Sequence, residues 1–325
     1  MIDRSAAIRD FLQSHGLNGA RIHPMAGDAS KRRYYRITPG SGPNRILMDA
    51  PEEMGCRPKE FAIIADALRE AGLSAPEILG LDFQSGFLLV EDFGDELFSK
   101  VIAKDSNLES GLYASAVDVL LRTASLDVAG LPEYGAPEMA DATTIAATHY
   151  GLGAEPTYHP EMLRLLLEID RPLTVSLRDF HVENLVWLQD RTGVKSVGLL
   201  DFQDTCHSHP LYDLASLLRD ARRVVGNETA KVCKQKFASA TRIDYDTLAN
   251  ELRIIAVQRN VRILGVFAKL AEQQGRAEYI KFIPHVWDML LEDLSTPRLS
   301  GLRDAILESL PPPDSNHLMR LASNG

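Results

Sequence analysis

The chain has 325 residues, 45% of them hydrophobic and 25% charged, with a net charge of −10. This is ordinary globular composition, enough for one large or two modest domains without disulfides or structural metal, and its acidity excludes a general binder of nucleic-acid backbones, which needs a basic face. Three cysteines, Cys56, Cys206 and Cys233, with no CxxC pair, point to a reducing cytoplasm, and no apolar run approaches the roughly 18 residues of a membrane span.

The opening MIDRSAAIRDFLQSHGL carries charges where a signal peptide has an apolar run, and residues 5–14 read as a short helix. A polar turn, Gly27, Asp28, Ala29 and Ser30, leads into alternating Tyr35 and Ile37. Arg45–Asp49 reads as a second strand beyond a Pro/Gly-containing loop. Phe61, Ile64, Ala65 and Leu68 recur at i, i+3, i+4 and i+7, predicting an amphipathic helix that ends near Gly72. Glu77–Asp82 and Gly86–Asp92 predict two more strands about a Gln84–Ser85 turn. After Phe93–Gly94 the character changes. Residues 96–128, 137–150 and 160–170 predict helices, Asn184–Leu188 and Val197–Asp201 two short strands, and the chain from Leu211 onward is nearly all helix. The expected fold class is therefore α+β, a small β-rich lobe over residues 1–93 ahead of a larger helical lobe over 94–325.

The chemistry-bearing stretch is TVSLRDFHVENLVWL. Asp179 and Asn184 stand five apart just ahead of an apolar strand, and Asp201 closes the next strand in GLLDFQD. Phosphoryl transfer asks for these groups: a carboxylate to take or orient the attacking hydroxyl's proton, and hard oxygen ligands to hold Mg²⁺ against the phosphates. Taken singly, each of these residues is equally a turn cap. The joint spacing carries the reading.

These segments, followed by HPLYDLASLL, resemble the catalytic segments of the aminoglycoside phosphotransferase-like kinase superfamily, which shares the two-lobe protein-kinase fold. The resemblance implies an ATP- and Mg²⁺-dependent enzyme with Asp179 as catalytic aspartate, Asn184 and Asp201 as metal residues, and Asp213 as a structural aspartate bracing the catalytic loop. It further implies that Gly27–Ser30 covers the ATP phosphates through backbone N–H groups, with a plain hairpin turn as the alternative, and that Glu91, Asp92 and Phe93 form the hinge that meets adenine. AGDASKRRYYRI, ILMDAPEE, LLVEDFGDELF and VQRNVRILGVFAKL are similar to the bacterial anomeric amino-sugar kinases, which act on N-acetylmuramate and N-acetylglucosamine at the C1 hydroxyl in cell-wall recycling.

Two departures stand out. Leu177 occupies the position where the superfamily usually has His, and Met48 stands where the phosphate-gripping Lys aligns, with Arg32, Arg33 and Arg45 as candidate replacements. His181, two after Asp179, braces the loop or meets substrate. On a late helix with an apolar stripe of Val257, Val261, Leu264 and Ala268, an adjoining face carries Gln258, Arg259 and Arg262. That face is either solvated or a contact for the acceptor, and arginines suit a sugar carboxylate better than a polycationic aminoglycoside. The partner expected is a small amino sugar, with no nucleic acid and no membrane. An aminoglycoside, choline or homoserine acceptor stays open, as does a nucleotide-binding pseudokinase. A metallohydrolase built on Asp204, Cys206, His207 and His209 matches no closed zinc motif.

Overall fold

A computed structural model of the chain describes residues 4–25, 32–151, 153 and 155–323. The chain divides into two compact units, Met1–Ser106 with Glu183–Asp204, and Asn107–Val182 with Thr205–Gly325. Residues 94–106 and 183–204, which the sequence assigns to the helical part, thus group with the sheet. The cause is main-chain pairing: the hairpin of Leu185–Trp187 and Val197–Leu199 bridges to Leu97 and Ser74, and Trp187 N–H donates to the Glu96 carbonyl at 2.8 Å.

The first unit is built on a five-stranded antiparallel sheet. Its helices and strands in chain order are α1 (Arg4–Ser14), β1 (Arg21–Pro24), β2 (Arg33–Thr38), β3 (Arg45–Asp49), α2 (Pro58–Glu70), β4 (Ile78–Asp82), β5 (Phe87–Glu91) and α3 (Phe98–Lys104), with strand order β1-β2-β3-β5-β4. Side chains alternate between the faces. Ile37, Leu47, Phe87 and Leu89 point to one face and bury against Ile8, Phe11 and Leu12 of α1. Each such apolar side chain contributes about 2 kcal/mol by leaving water. Tyr34 pairs with Met48 and Arg36 with Ile46, while Met48 pairs with Leu88 and Ile46 with Val90, so these six share the opposite face. β5 is buried along four of its five residues because both its faces are covered. The apolar stripe read on α2 is observed, with Phe61, Ile64, Ala65 and Leu68 buried.

The second unit is mostly helical: α4 (Glu109–Thr123), α5 (Ala136–Asp141), α6 (His159–Glu168), α7 (Tyr212–Leu218), α8 (Asn227–Thr241), α9 (Tyr245–Gln274), α10 (Ile283–Asp293), α11 (Ser300–Ser309) and α12 (Ser315–Ser323). It also holds a three-stranded sheet absent from the sequence reading, with Cys206–Ser208 between Glu133–Tyr134 and Thr174–Ser176. Strands of two or three residues are too short to show a period. The 30-residue α9 is capped by Asp244, whose carboxylate accepts from Thr247 N–H, and ends at Gly275 with φ +63°. It is buried on most of its circumference, Gln258 and Arg259 included.

Candidate active site

The first unit contains a cavity of about 230 Å³. Ile46 and Val90 of the sheet face, Phe61 of α2, and Leu200 and Phe202 beyond the hairpin supply its apolar walls, and Phe61 and Phe202 stack at 4.7 Å. Glu91, Asp92 and Phe93 line it as β5 ends. Asn184 and Asp201 line it too, one preceding the first hairpin strand and one following the second. The hairpin explains why residues 17 apart in sequence meet: Leu200 N–H donates to the Asn184 carbonyl at 2.9 Å.

Two of the three residues expected to form the hinge, Asp92 and Glu91, are held by hydrogen bonds and ion pairs. The Asp92 carboxylate pairs with the Arg36 guanidinium, whose Nη2 donates to Oδ1 at 3.1 Å, and it accepts from Gly94 N–H at 2.8 Å. Glu91 N–H donates to the Glu77 carbonyl at 2.8 Å, and its carboxylate pairs with Arg191. Asp201 has a left-handed backbone, φ +54°, a conformation that Asp tolerates better than most residues. Its Oδ1 accepts from Gln203 Nε2 at 2.9 Å and faces Arg32 Nη1 at 3.4 Å. Met48 is 1% exposed inside the sheet. The Gly27, Asp28, Ala29 and Ser30 turn lies outside the described residues.

Asp179 belongs to the second unit, on a loop whose geometry is unusual. Its N–H donates to the Leu177 carbonyl at 2.8 Å, closing a γ-turn centred on Arg178 with φ +65°. Such a turn is rare and costs roughly 1–3 kcal/mol. One turn of α7 clamps it. Buried Asp213 accepts from Leu177 N–H at 2.7 Å, Arg178 N–H at 2.9 Å and Ser176 Oγ at 2.7 Å, while Ser216 Oγ donates to the Arg178 carbonyl at 3.2 Å. Arg259 of α9 completes the brace through a 2.7 Å bond to Ser216 Oγ, and the Arg178 guanidinium stacks on Tyr134 at 4.4 Å. Burial raises the Asp213 carboxyl to about 6, although its three donors pull the other way.

The late-helix face therefore divides. Gln258 is fully buried, giving Nε2 to the Met139 carbonyl at 2.7 Å, and Arg259 is 5% exposed in the brace, so both lie in the interior. Arg262 is half-buried. His181 accepts from Arg222 Nη1 at 3.2 Å on Nε2, so Nδ1 carries its proton. Burial, with Arg222 beside it, lowers its pKa and keeps the ring neutral. Asp220, 3% exposed, sits in the same field. One carboxylate oxygen of Asp220 takes Arg222 N–H at 2.8 Å, and the other is buried without a partner among the described residues. The sequence reading missed Asp220 and Arg222, although LLRDARR set an acid among bases in an apolar helix end. His209 is occupied on both nitrogens, by the Ile169 carbonyl at 3.0 Å and Leu211 N–H at 3.2 Å, which leaves none for a metal. Asp204 pairs with Arg57. Among the described residues, no three His, Cys, Asp or Glu side chains gather to hold an ion.

The family profile for the phosphotransferase enzyme family matches residues 21–249. The chain belongs to that family. As a phosphotransferase it is similar to the N-acetylmuramate/N-acetylglucosamine kinase of Caulobacter vibrioides, 30% identical over 93% of this chain and 95% of the relative. The like-named kinase of Pseudomonas aeruginosa is 29% identical over 90% and 89%. Among solved structures, a choline/ethanolamine kinase family protein from Mesorhizobium loti superposes with a TM-score of 0.66 at 14% identity, over 94% of this chain and 99% of that one. The protein-kinase-like fold expected from the catalytic segments is thus the fold of this phosphotransferase.

Proposed function

We propose that this phosphotransferase moves the terminal phosphoryl group of ATP, with Mg²⁺, onto the C1 hydroxyl of an amino sugar of the N-acetylmuramate/N-acetylglucosamine kind. The similarity to kinases so named, extending over nine-tenths of the chain, carries the reading. In this reading the activity is cytoplasmic and acts on amino sugars released in cell-wall recycling, with a small-molecule partner rather than a nucleic acid or a membrane.

The residues fit the implied groups. An apolar slot walled by Ile46, Val90, Phe61 and Leu200 suits a flat purine, with Glu91, Asp92 and Phe93 along its edge. Asn184 and Asp201 offer an amide oxygen and a carboxylate, a hard donor pair suited to Mg²⁺, which keeps waters and phosphate oxygens in its remaining positions. When bound, the ion neutralises charge on the phosphates. Asp179 accepts the proton of the attacking hydroxyl, and its clamped loop fixes the direction from which it does so. Because the transition state needs little covalent help, positioning supplies most of the rate. In this reading the sheet unit, residues 1–106 with 183–204, binds nucleotide, with Gly27–Ser30 as well as the hinge contributing, and the helical unit carries the catalytic loop and acceptor site. His181 and Arg262 are the acceptor contacts proposed from the predicted set, while Gln258 and Arg259 act from inside as supports.

The experiment is a panel. Purified protein is given ATP-Mg²⁺ with N-acetylmuramate, N-acetylglucosamine, aminoglycosides, choline and homoserine, and ADP release and ³¹P spectra are recorded. A sugar 1-phosphate is expected. Turnover confined to a non-sugar alcohol, or a 6-phosphate product, overturns the assignment.

A further inference from the structure

Arg191, in the turn of the 185–199 hairpin, ties that hairpin to the hinge. One end of its guanidinium pairs with the Glu91 carboxylate, while Nη1 donates to Ser74 Oγ at 2.9 Å. The guanidinium carbon also stands 5.2 Å from the centroid of the Phe93 ring. Ser74 is itself part of the hairpin's footing: its Oγ donates to the Lys195 carbonyl at 2.8 Å, and its carbonyl takes Leu199 N–H at 2.8 Å. On another side Phe93 meets Gly198, where an added Cβ would stand 2.8 Å from the ring, so no side chain fits between strand and ring. Glu91 is thereby fixed to the hairpin at its turn and Phe93 against the middle of its second strand, while Asn184 and Asp201 stand at its feet.

Arg191 does not line the cavity, so it has no direct claim on a ligand. We infer that Arg191 is a positioning residue of the nucleotide site, holding Glu91 and Phe93 in register with the hairpin whose feet carry Asn184 and Asp201. The inference rests on the nucleotide reading of the cavity. Its physical content is a fixed spacing. The groups that meet the base are tied to the hairpin's turn and second strand, the groups that meet the phosphate-bound ion stand at its feet, and a planar fork with three partners locks the junction in a way a flexible ammonium does not. At 33% side-chain exposure the ion pair adds little to folding stability. The consequence therefore belongs in binding, where a ligand spanning both ends pays for any looseness between them.

The test separates binding from folding. In Arg191→Ala the KM for ATP and the Kd for ADP are expected to rise about tenfold. The acceptor KM and the kcat at saturating ATP stay within about threefold, and the melting temperature moves by only a few degrees. Arg191→Lys, which keeps charge but not the fork, falls between. Pairing Arg191→Ala with Glu91→Gln gives less than the sum of the two single losses. A folded Arg191→Ala protein with unchanged ATP KM and ADP Kd overturns the inference, as does a variant whose loss is wholly in kcat with a large fall in melting temperature. Val90→Trp, which fills the cavity, is the control for the underlying reading. If ADP binding survives that change, the nucleotide assignment fails whatever Arg191 does. If Val90→Trp abolishes binding and Arg191→Ala leaves it alone, the positioning role alone fails.

Discussion

Arg32 Nη1 stands 3.4 Å from Asp201 Oδ1, a cation held directly against the carboxylate proposed for the metal. Met48, expected from the resemblance to stand where a phosphate-gripping lysine would, is sealed between Tyr34 and Leu88 in the sheet, and β3 places only Ile46 on the cavity lining. Arg32, just before β2, has 11% side-chain exposure and also reaches Tyr34 Oη at 3.4 Å. Arg36 lines the cavity but is engaged by Asp92 and Asp95; Arg32 stands just off the lining, paired with Asp201, which is on it, and is proposed to meet phosphate oxygens bidentately. Arg32→Met is expected to raise the KM for ATP about tenfold and the Mg²⁺ concentration for half-maximal rate severalfold. Arg32→Lys retains part of both. Initial rates over an ATP-by-Mg²⁺ grid measure this, and an unchanged ATP KM in Arg32→Met removes Arg32 from the site.

Much of the first unit was legible because its segments are long enough to show a period. The stripe Phe61, Ile64, Ala65, Leu68 and the strand Arg45–Asp49 were read directly, and the strand read as Gly86–Asp92 is observed as Phe87–Glu91. Asn184 and Asp201, read as metal residues because they flank apolar strands, both line the cavity. Arg32 was one of three candidates that the sequence could not choose between, and Arg191 and Asp220 were not named, since such residues meet partners 169, 100 or 39 positions away, as in Arg32–Asp201, Arg191–Glu91 and Asp220–His181. The face of Gln258 and Arg259 misled for a related reason. A polar residue on a helix reads as exposed, whereas α9 runs inside its unit, and these two spend their donors on Met139, Tyr134 and Ser216.

The three polar residues of the proposed centre should fail in different ways. Asp179→Asn keeps shape and loses the proton acceptor, so kcat falls by about 10³ or more while ADP binding is retained. Asn184→Ala and Asp201→Ala leave the acceptor in place and weaken the hold on the ion, so part of their loss is recovered at high Mg²⁺. Single-turnover rates and ADP titrations across Mg²⁺ concentrations separate the two patterns. Normal turnover in Asp179→Asn removes it as the base.

Asp213 makes activity and stability respond to pH with opposite signs. Burial lifts its carboxyl from 3.8 to about 6 against the pull of Ser176, Leu177, Arg178 and Arg259. Between those values the folded chain keeps a proton that the unfolded chain has lost. Its contribution to stability is therefore full below pH 3.8 and falls by roughly 3 kcal/mol as pH rises to about 6. Asp293, buried beside Arg219 and also raised to about 6, adds in the same direction. The proposed catalytic loop is expected to feel the reverse. Only the ionised carboxylate accepts freely from both Leu177 and Arg178 N–H, so kcat should decline as pH drops through about 6. Asp213→Asn is expected to lower kcat by one to two orders of magnitude, roughly, at neutral pH and to abolish that acidic limb. It should also flatten, without erasing, the pH dependence of melting temperature, because Asp293 remains. An acidic limb that survives in Asp213→Asn assigns it to another group.

Gly265 tests the packing on which the brace depends, away from the chemistry. It lies in the interior of α9, where alanine gains about 1 kcal/mol of helix propensity over glycine. An added Cβ, however, would stand 2.4 Å from the Ala146 backbone nitrogen and 2.5 Å from the Ile145 carbonyl carbon. The obstacle is main chain of the π-helical segment Ala146–Tyr150, and no side-chain rotamer relieves it, so α9 or that segment has to shift. Overpacking of this kind costs about 1–3 kcal/mol or more, which outweighs the propensity gain. Gly265→Ala should therefore lower the melting temperature and the urea midpoint. Since Arg259 sits two turns earlier on the same helix and reaches the Arg178 carbonyl through Ser216, a displaced α9 also loosens the clamp on the γ-turn. The expected signature is a fall in kcat that exceeds the loss of folded protein, with ADP affinity unchanged. A more stable Gly265→Ala protein would mean that helix propensity, not the close approach of two backbones, governs this position.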